Sequence, residues 1–254
     1  MTPCVVISTF WTRRKGRFTD RLINVYDHPT PIDEEGTLGD CLRSLQKVRG
    51  LDRVVVIVSA TDSSIENEAE DRVRSIVEAF PKIDCLVFGP AELGSLQRRL
   101  EQLEFSDMVP GVSLTGYGAI RNVGLIVGGT LGCDSIVFID DDEIVLDEDF
   151  LERAVEGLGM KTPDGKIVLA KTGYYVDDAG SPLAPDEKHW ADALWPVAAE
   201  FNRAIANVQE PPRVRASNVA FGGCLALHRD MYANVSFDPW VLRGEDIDYV
   251  INAR

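Results

Sequence analysis

Apolar positions along the chain follow two rhythms. Short runs without alternation stand at Cys4–Ser8 (CVVIS), Arg53–Ser59 (RVVVIVS), Asp84–Phe88 (DCLVF) and Asp134–Ile139 (DSIVFI). They are rich in β-branched residues and apolar at consecutive positions, as strands covered on both faces must be. Lys166–Ala170 (KIVLA) and Ala220–Leu227 (AFGGCLAL) read as two further strands of this kind. Between the runs the period lengthens to that of a helix. Leu38, Cys41, Leu42, Leu45 and Val48 recur with one-face helical spacing behind Thr37, a residue able to cap. Ser63 with Glu66 has capping-box spacing and opens a helix with Ile65, Ala69, Val73, Ile76, Val77 and Phe80 inward. Leu93–Leu103, Ala119–Leu131 and Asp149–Leu158 predict three more helices.

Strand–helix alternation from residue 4 to 158 implies right-handed βαβ units. The expected architecture is α/β and Rossmann-like, a mostly parallel central sheet with helices on both faces. Such sheets bind ligands beyond the carboxyl ends of their strands, so the residues just after each strand are the candidates for chemistry. Near residue 172 the pattern changes. Gly173–Gly180 reads as a strand running into a turn, and Pro182–Pro212 is mixed, with Trp190, Trp195 and Phe201. We take this as a second lobe of one domain, 1–254, rather than an independent unit.

Charge narrows the function. The net charge of -15 leaves no basic surface for nucleic acid and disfavours an anionic membrane. A chain this acidic that binds a nucleotide needs local compensation, and a divalent cation supplies it. Cys4, Cys41, Cys85, Cys133 and Cys224 form no CxxC or Cys/His cluster, and their scatter suits free thiols in a reducing compartment. There is no signal-peptide pattern, and no apolar run approaches the ~18 residues of a membrane span. A cytoplasmic location is the expectation.

Three segments carry the candidate chemistry. Asp140-Asp141-Asp142-Glu143 leaves the strand that ends at Ile139. Four adjacent carboxylates repel one another at such a place, and Mg²⁺ or Mn²⁺ would relieve them while holding diphosphate oxygens. In an extended segment Asp140 and Asp142 share one side and Asp141 points elsewhere. A solvated acidic turn is the plainer alternative. Arg121 and Asn122 open the helix before that strand, where a guanidinium can reach a phosphate or an acidic neighbour; an ordinary surface arginine is the alternative. Gly244-Glu245-Asp246 stands at the start of a terminal helix. A carboxylate there can cap the helix or take a proton from a hydroxyl.

Taken in order, the first strand, Thr37–Leu45 (TLGDCLRSL), the strand ending Ser59-Ala60-Thr61-Asp62, AIRNVGL, FIDDDE and RGEDIDYVINAR resemble the glycosyltransferase-A superfold. The resemblance covers nearly the whole chain. The Arg-Asn helix and Asp-x-Asp motif are similar to those of glycosyltransferase-2-like enzymes, and the last segment to the Gly-Glu-Asp-Asp-Asp stretch of galactosyltransferases. It implies a nucleotide-diphospho-sugar transferase, metal-dependent and inverting, with a nucleotide-sugar half (1–143) and an acceptor half (144–254). Its partners would be a nucleoside-diphosphate sugar and a hydroxyl acceptor not named by the sequence.

By that resemblance Thr9, Phe10 and Asp62 would meet the base or ribose, and Arg121 the donor or the acidic motif. Asp140 would orient the ribose or a metal-bound water, with Asp141 beside it at the donor, and Asp142 would ligate Mn or Mg, with Asp140 as a second ligand. Gly222 and Gly223 would underlie sugar or acceptor. Glu245 would bind the acceptor, and Asp246 would be the general base. Many such enzymes add a later metal ligand, often His. The sequence stops at Arg254, and none of His28, His189 and His228 is assigned to metal. Arg13, Arg14, Lys15 and Arg17 form a basic loop, solvated or phosphate-holding. The rivals are a sugar-phosphate nucleotidyltransferase and a non-catalytic nucleotide-sugar-binding domain. Ser8-Thr9-Phe10-Trp11 follows the first strand where the former carries a Gly-rich loop.

Overall fold

The computed structural model describes residues 2–14, 26–185, 196–209 and 216–253. Among them one sheet runs β4-β3-β1-β5-β7-β6, with β2 added beside β1. The strands are β1 (Pro3–Thr12), β2 (Thr30–Pro31), β3 (Arg53–Ala60), β4 (Asp84–Phe88), β5 (Ser135–Asp140), β6 (Ala170–Thr172) and β7 (Leu225–His228). The helices are α1 (Leu38–Leu45), α2 (Glu66–Glu78), α3 (Pro90–Gln102), α4 (Tyr117–Thr130), α5 (Phe150–Val155), α6 (Val197–Gln209), α7 (Arg229–Tyr232) and α8 (Glu245–Asn252).

The unalternating apolar runs have a simple cause. Val5, Ile7, Val54, Val56, Val137 and Ile139 join one core with Leu38, Leu42 and Leu45 of α1, Ala69 and Val73 of α2 and Leu151 of α5. Their sequence neighbours Cys4, Val6, Val55, Ile57, Ile136 and Phe138 join the opposite core with Ile120 and Val123 of α4, Met231 of α7 and Tyr249 of α8. Each central strand thus buries both of its faces, as parallel strands between two helix layers do. Helix α4 lies very close to the sheet. A Cβ on Gly124 would sit 2.9 Å from the Phe138 ring and 3.0 Å from Val6.

β1 pairs in parallel with β2, β3 and β5, and β3 with β4. β7 runs antiparallel to both β5 and β6. The two later strands therefore depart from the parallel expectation, and their bounds differ too. Gly222–Cys224 is a 3-10 turn, which shortens Ala220–Leu227 to a strand beginning at Leu225. Thr162 and Gly165 close a turn, with φ +85° at the glycine, and Ile167 bridges back to Lys161 across it, so the ladder with β7 begins only at Ala170. Gly173–Asp177 is not a strand.

Local signals at helix ends held in part. Thr37 stands at the start of α1 without a side-chain cap bond. Asp62, not Ser63, caps the 3-10 turn that leads into α2, accepting the Ser64 N–H at 2.9 Å. α5 stops at Val155, short of Leu158, where Gly157 takes φ +80°. α6 was not foreseen; Ile205 is its buried residue. Among the described residues no helix is long and apolar enough to cross a membrane. Lys15, Arg17, His189, Trp190, Trp195 and Arg254 lie outside the described residues.

Candidate active site at the carboxyl edge of the sheet

Chain direction decides where a ligand can enter. β1, β3 and β4 step outward in one direction, and α4 then returns the chain to place β5 on the other side of β1. This reversal is a topological switch point, and sheets of this kind bind ligands beyond the carboxyl ends of the strands at such a point, here β1 and β5. Thr9 near the end of β1 and Asp141 just after β5 meet there, the threonine hydroxyl donating to Asp141 Oδ2 at 2.6 Å. Because β7 enters the sheet antiparallel to β5, its preceding turn, Gly222–Cys224, reaches the same edge.

Arg121 sits one turn into α4. It is 3% exposed, which removes the surface-arginine alternative. Its Nη2 donates to Asp140 Oδ1 at 3.0 Å, and its Nε lies 3.5 Å from Glu245 Oε1. The guanidinium also covers the Phe138 ring at 4.9 Å. Its Nη1 is buried with no hydrogen-bond partner. One buried cation thus ties the end of β5 to the first residue of α8. Gly244 makes that entry possible by taking φ +80°, which L side chains rarely adopt.

Around this ion pair the carboxylates crowd. Burial, opposed by the Thr9 hydrogen bond and reinforced by the Asp142 and Asp140 charges, pushes Asp141 up to about 7. Desolvation, followed by the Asp140 charge, also raises Glu143 and Asp142, and His28 partly opposes the shift at Asp142. Burial raises Glu245, while Arg121 opposes that shift. Gly223 has no room for a side chain, since a Cβ would overlap the Glu143 carboxylate and lie 2.6 Å from Asp140 Oδ2. A Cβ on Gly222 would lie 2.7 Å from Arg121 Nη2. The two glycines therefore admit the carboxylates and the guanidinium to the backbone. Gly222 N–H donates to Asp246 Oδ2 at 3.1 Å, and Ile247 N–H to Asp246 Oδ1 at 2.8 Å.

The structure thus brings Thr9, Arg121, Asp140, Asp141, Gly222, Gly223, Glu245 and Asp246 to one edge. Phe10 and Asp62 are otherwise engaged. The Phe10 ring stacks on Tyr26 at 4.4 Å and meets Tyr117 edge-on at 5.1 Å. Asp62 pairs with Arg13 at 2.7 Å and accepts the Ser64 hydroxyl at 2.5 Å, which together hold its carboxyl down at about 2. Tyr117, four residues before Arg121 on the same helix face, is a neighbour that sequence inspection missed, although its spacing could have shown it.

The donor set suits a hard divalent cation, because it is made of carboxylate oxygens. Among the described residues no group of three or more His, Cys, Asp or Glu is placed to hold a metal ion. Mg²⁺ is commonly held by one or two carboxylates, with water and substrate phosphates completing the shell. Asp140 and Asp142 offer carboxylates of that kind, although Asp140 Oδ1 already accepts from Arg121.

This is the glycosyltransferase-A type of fold, a mixed α/β sheet flanked by helices. It is similar to the mannosyltransferase PcManGT from Pyrobaculum calidifontis in complex with GDP-Man and Mn2+, with TM-score 0.54, 15% identity and 98% of this chain matched. The chain spans 50% of the length of that enzyme. A cytidylyltransferase from Leptospira borgpetersenii serovar Hardjo-bovis matches 61% of this chain and 48% of its own, at 19% identity and TM-score 0.30. A 4-diphosphocytidyl-2C-methyl-D-erythritol synthase matches 73% and 68%, at 16% identity and TM-score 0.32. The last two superpose too loosely to carry weight. No protein-family model and no curated protein matches the chain.

Proposed function

We propose that this chain transfers a sugar from a nucleoside diphosphate to an acceptor hydroxyl. The observation that carries the reading is Arg121, buried between Asp140 and Glu245 at the switch point of the sheet. It joins carboxylates suited to a metal–diphosphate to carboxylates suited to an acceptor.

In this reading residues 1–143 hold the donor and 144–254 the acceptor. The nucleoside lies across the ends of β1 and β3, near Thr9 and Asp62, with Phe10 backing Tyr26 and Tyr117. Asp140 and Asp142 hold Mn²⁺ or Mg²⁺. The cation, when bound, neutralises charge on the leaving diphosphate. Both Asp246 oxygens accept backbone N–H groups, which fixes the carboxylate facing Gly222. Asp246 removes the acceptor hydroxyl proton as that oxygen attacks the anomeric carbon. The bond from that carbon to the diphosphate breaks, and the configuration inverts.

The mannosyltransferase neighbour makes GDP-mannose the first donor to try, beside UDP-, CDP-, ADP- and dTDP-sugars with Mn²⁺, Mg²⁺ or EDTA. Ligand at about a hundred times its dissociation constant stabilises the protein by about 2.7 kcal/mol. A metal-dependent thermal shift, lost in Asp142→Asn, is the expected result. Asp246→Asn should keep the shift and lose transfer. Release of pyrophosphate from a nucleoside triphosphate and a sugar 1-phosphate would instead make this a nucleotidyltransferase. Donor binding without turnover would leave a non-catalytic binding domain.

A further inference from the structure

One aromatic group at this edge has no role in the reaction just described. Tyr175 follows β6, three residues past Thr172. The residue is 48% exposed, and its ring meets Phe221 edge-on at 5.9 Å. Phe221 is 6% exposed and meets Phe201 of α6 edge-on at 5.7 Å. The tyrosine is therefore held by a buried aromatic neighbour while about half of the residue stays open to solvent.

The backbone places it beside the carboxylates. Gly173 N–H donates to Cys224 O at 2.9 Å, and Phe221 N–H to the Thr172 hydroxyl at 2.9 Å, so the two segments run together past the strand ends. Phe221 is followed by Gly222, bound to Asp246, and Gly223, backed by Asp140 and Glu143. In the order β3-β1-β5-β7-β6 this position lies across β5 from the ends of β1 and β3.

A pyranose ring has an apolar C–H face and a hydroxyl edge. An open aromatic ring beside hydrogen-bond-accepting carboxylates matches both. We propose that Tyr175, supported by Phe221 and Phe201, is the stacking platform of an acceptor subsite for a neutral saccharide; this rests on the transferase reading above. Neutrality follows from charge. Asp140 and Asp246 stand at this edge of a chain with net charge -15, and Arg121 is already paired with Asp140 and Glu245, so a phosphate on the acceptor would meet more repulsion than attraction.

The test uses the full chain with GDP and Mn²⁺. Saturation-transfer NMR with the methyl pyranosides of mannose, glucose and galactose reads binding directly, and mannose 1-phosphate is the charged counterpart. Wild type and Tyr175→Phe should bind at least one glycoside alike, with transfer strongest on one ring face, and should not bind the phosphate. Tyr175→Ala should bind it at least tenfold more weakly with an unchanged unfolding midpoint. Equal binding by Tyr175→Ala, or no binding of any neutral glycoside by wild type, would overturn the proposal. Donor hydrolysis is followed in parallel. Hydrolysis without glycoside binding removes the subsite alone; glycoside binding without donor turnover removes the transferase reading and leaves a saccharide site.

Discussion

Replacing Arg121 with Met keeps much of the side-chain stem and removes the charge between Asp140 and Glu245. At an effective dielectric of ~20, charges at the observed 3.0 and 3.5 Å attract by about 5 kcal/mol each before desolvation is counted. Most of that is offset by the cost of taking the ions out of water. What remains after deleting one partner is the stranded charge, typically 3–5 kcal/mol. The Asp140 side chain is 37% exposed and can recover water, whereas Glu245 at 7% cannot. The lower end, about 3 kcal/mol, is therefore expected, which for a chain of this size lowers the unfolding midpoint by roughly 6–12 °C. Urea and thermal melts of Arg121→Met, Glu245→Gln and the double variant measure the coupling, expected at about 1 kcal/mol or more because the Gln removes the stranded charge. Arg121→Lys should recover part of the loss, since one ammonium faces carboxylates on two different elements. Strict additivity of the single variants, or an Arg121→Met midpoint within 2 °C of wild type, would refute the idea that this guanidinium holds α8 to the sheet.

Four further outcomes follow from the packing and charge. A Cβ on Gly118 would overlap the Asp238 carbonyl oxygen and lie 3.2 Å from Val241 O, so Gly118→Ala should cost about 1–3 kcal/mol in urea melts. Gly39 in α1 has nothing within 4 Å of an added Cβ, and Gly39→Ala should instead stabilise by about 0.5–1 kcal/mol. Tyr26→Phe removes the buried acceptor of the Gly116 N–H (2.9 Å) and the Ser59 hydroxyl (3.2 Å), and should cost about 1–3 kcal/mol by thermal melt. The depressed Asp62 carboxyl contributes stability above its unfolded value near 3.8, lost as pH falls through about 2. Urea midpoints between pH 5 and 3 should therefore drop more steeply for wild type than for Asp62→Asn.

Most of the fold was legible in the sequence because its signals are local. A strand buried on both faces must be apolar at consecutive positions, and β1, β3, β4 and β5 each contain or border their predicted run. Helical spacing likewise marked the inward residues of α1 and α2. The later strands resisted because the Gly222–Cys224 turn interrupts one apolar segment and the other folds back on Lys161 before it reaches β7, and periodicity registers neither. The candidate residues were found by their types and their place after strands. Their contacts were not. Asp140 and Glu245 are over a hundred positions apart, and only the sheet order, the close approach of α4 and the left-handed entry at Gly244 bring them to one guanidinium. Phe10 shows the converse: its place in β1 suggested contact with a base, and only the structure shows its ring stacked on Tyr26 and edge-on to Tyr117. Sequence alone determined the central parallel strands, the inward faces of their covering helices and the residue types that stand after them. Tertiary structure decided which charges are buried and paired, because burial and distance depend on segments that sequence separates.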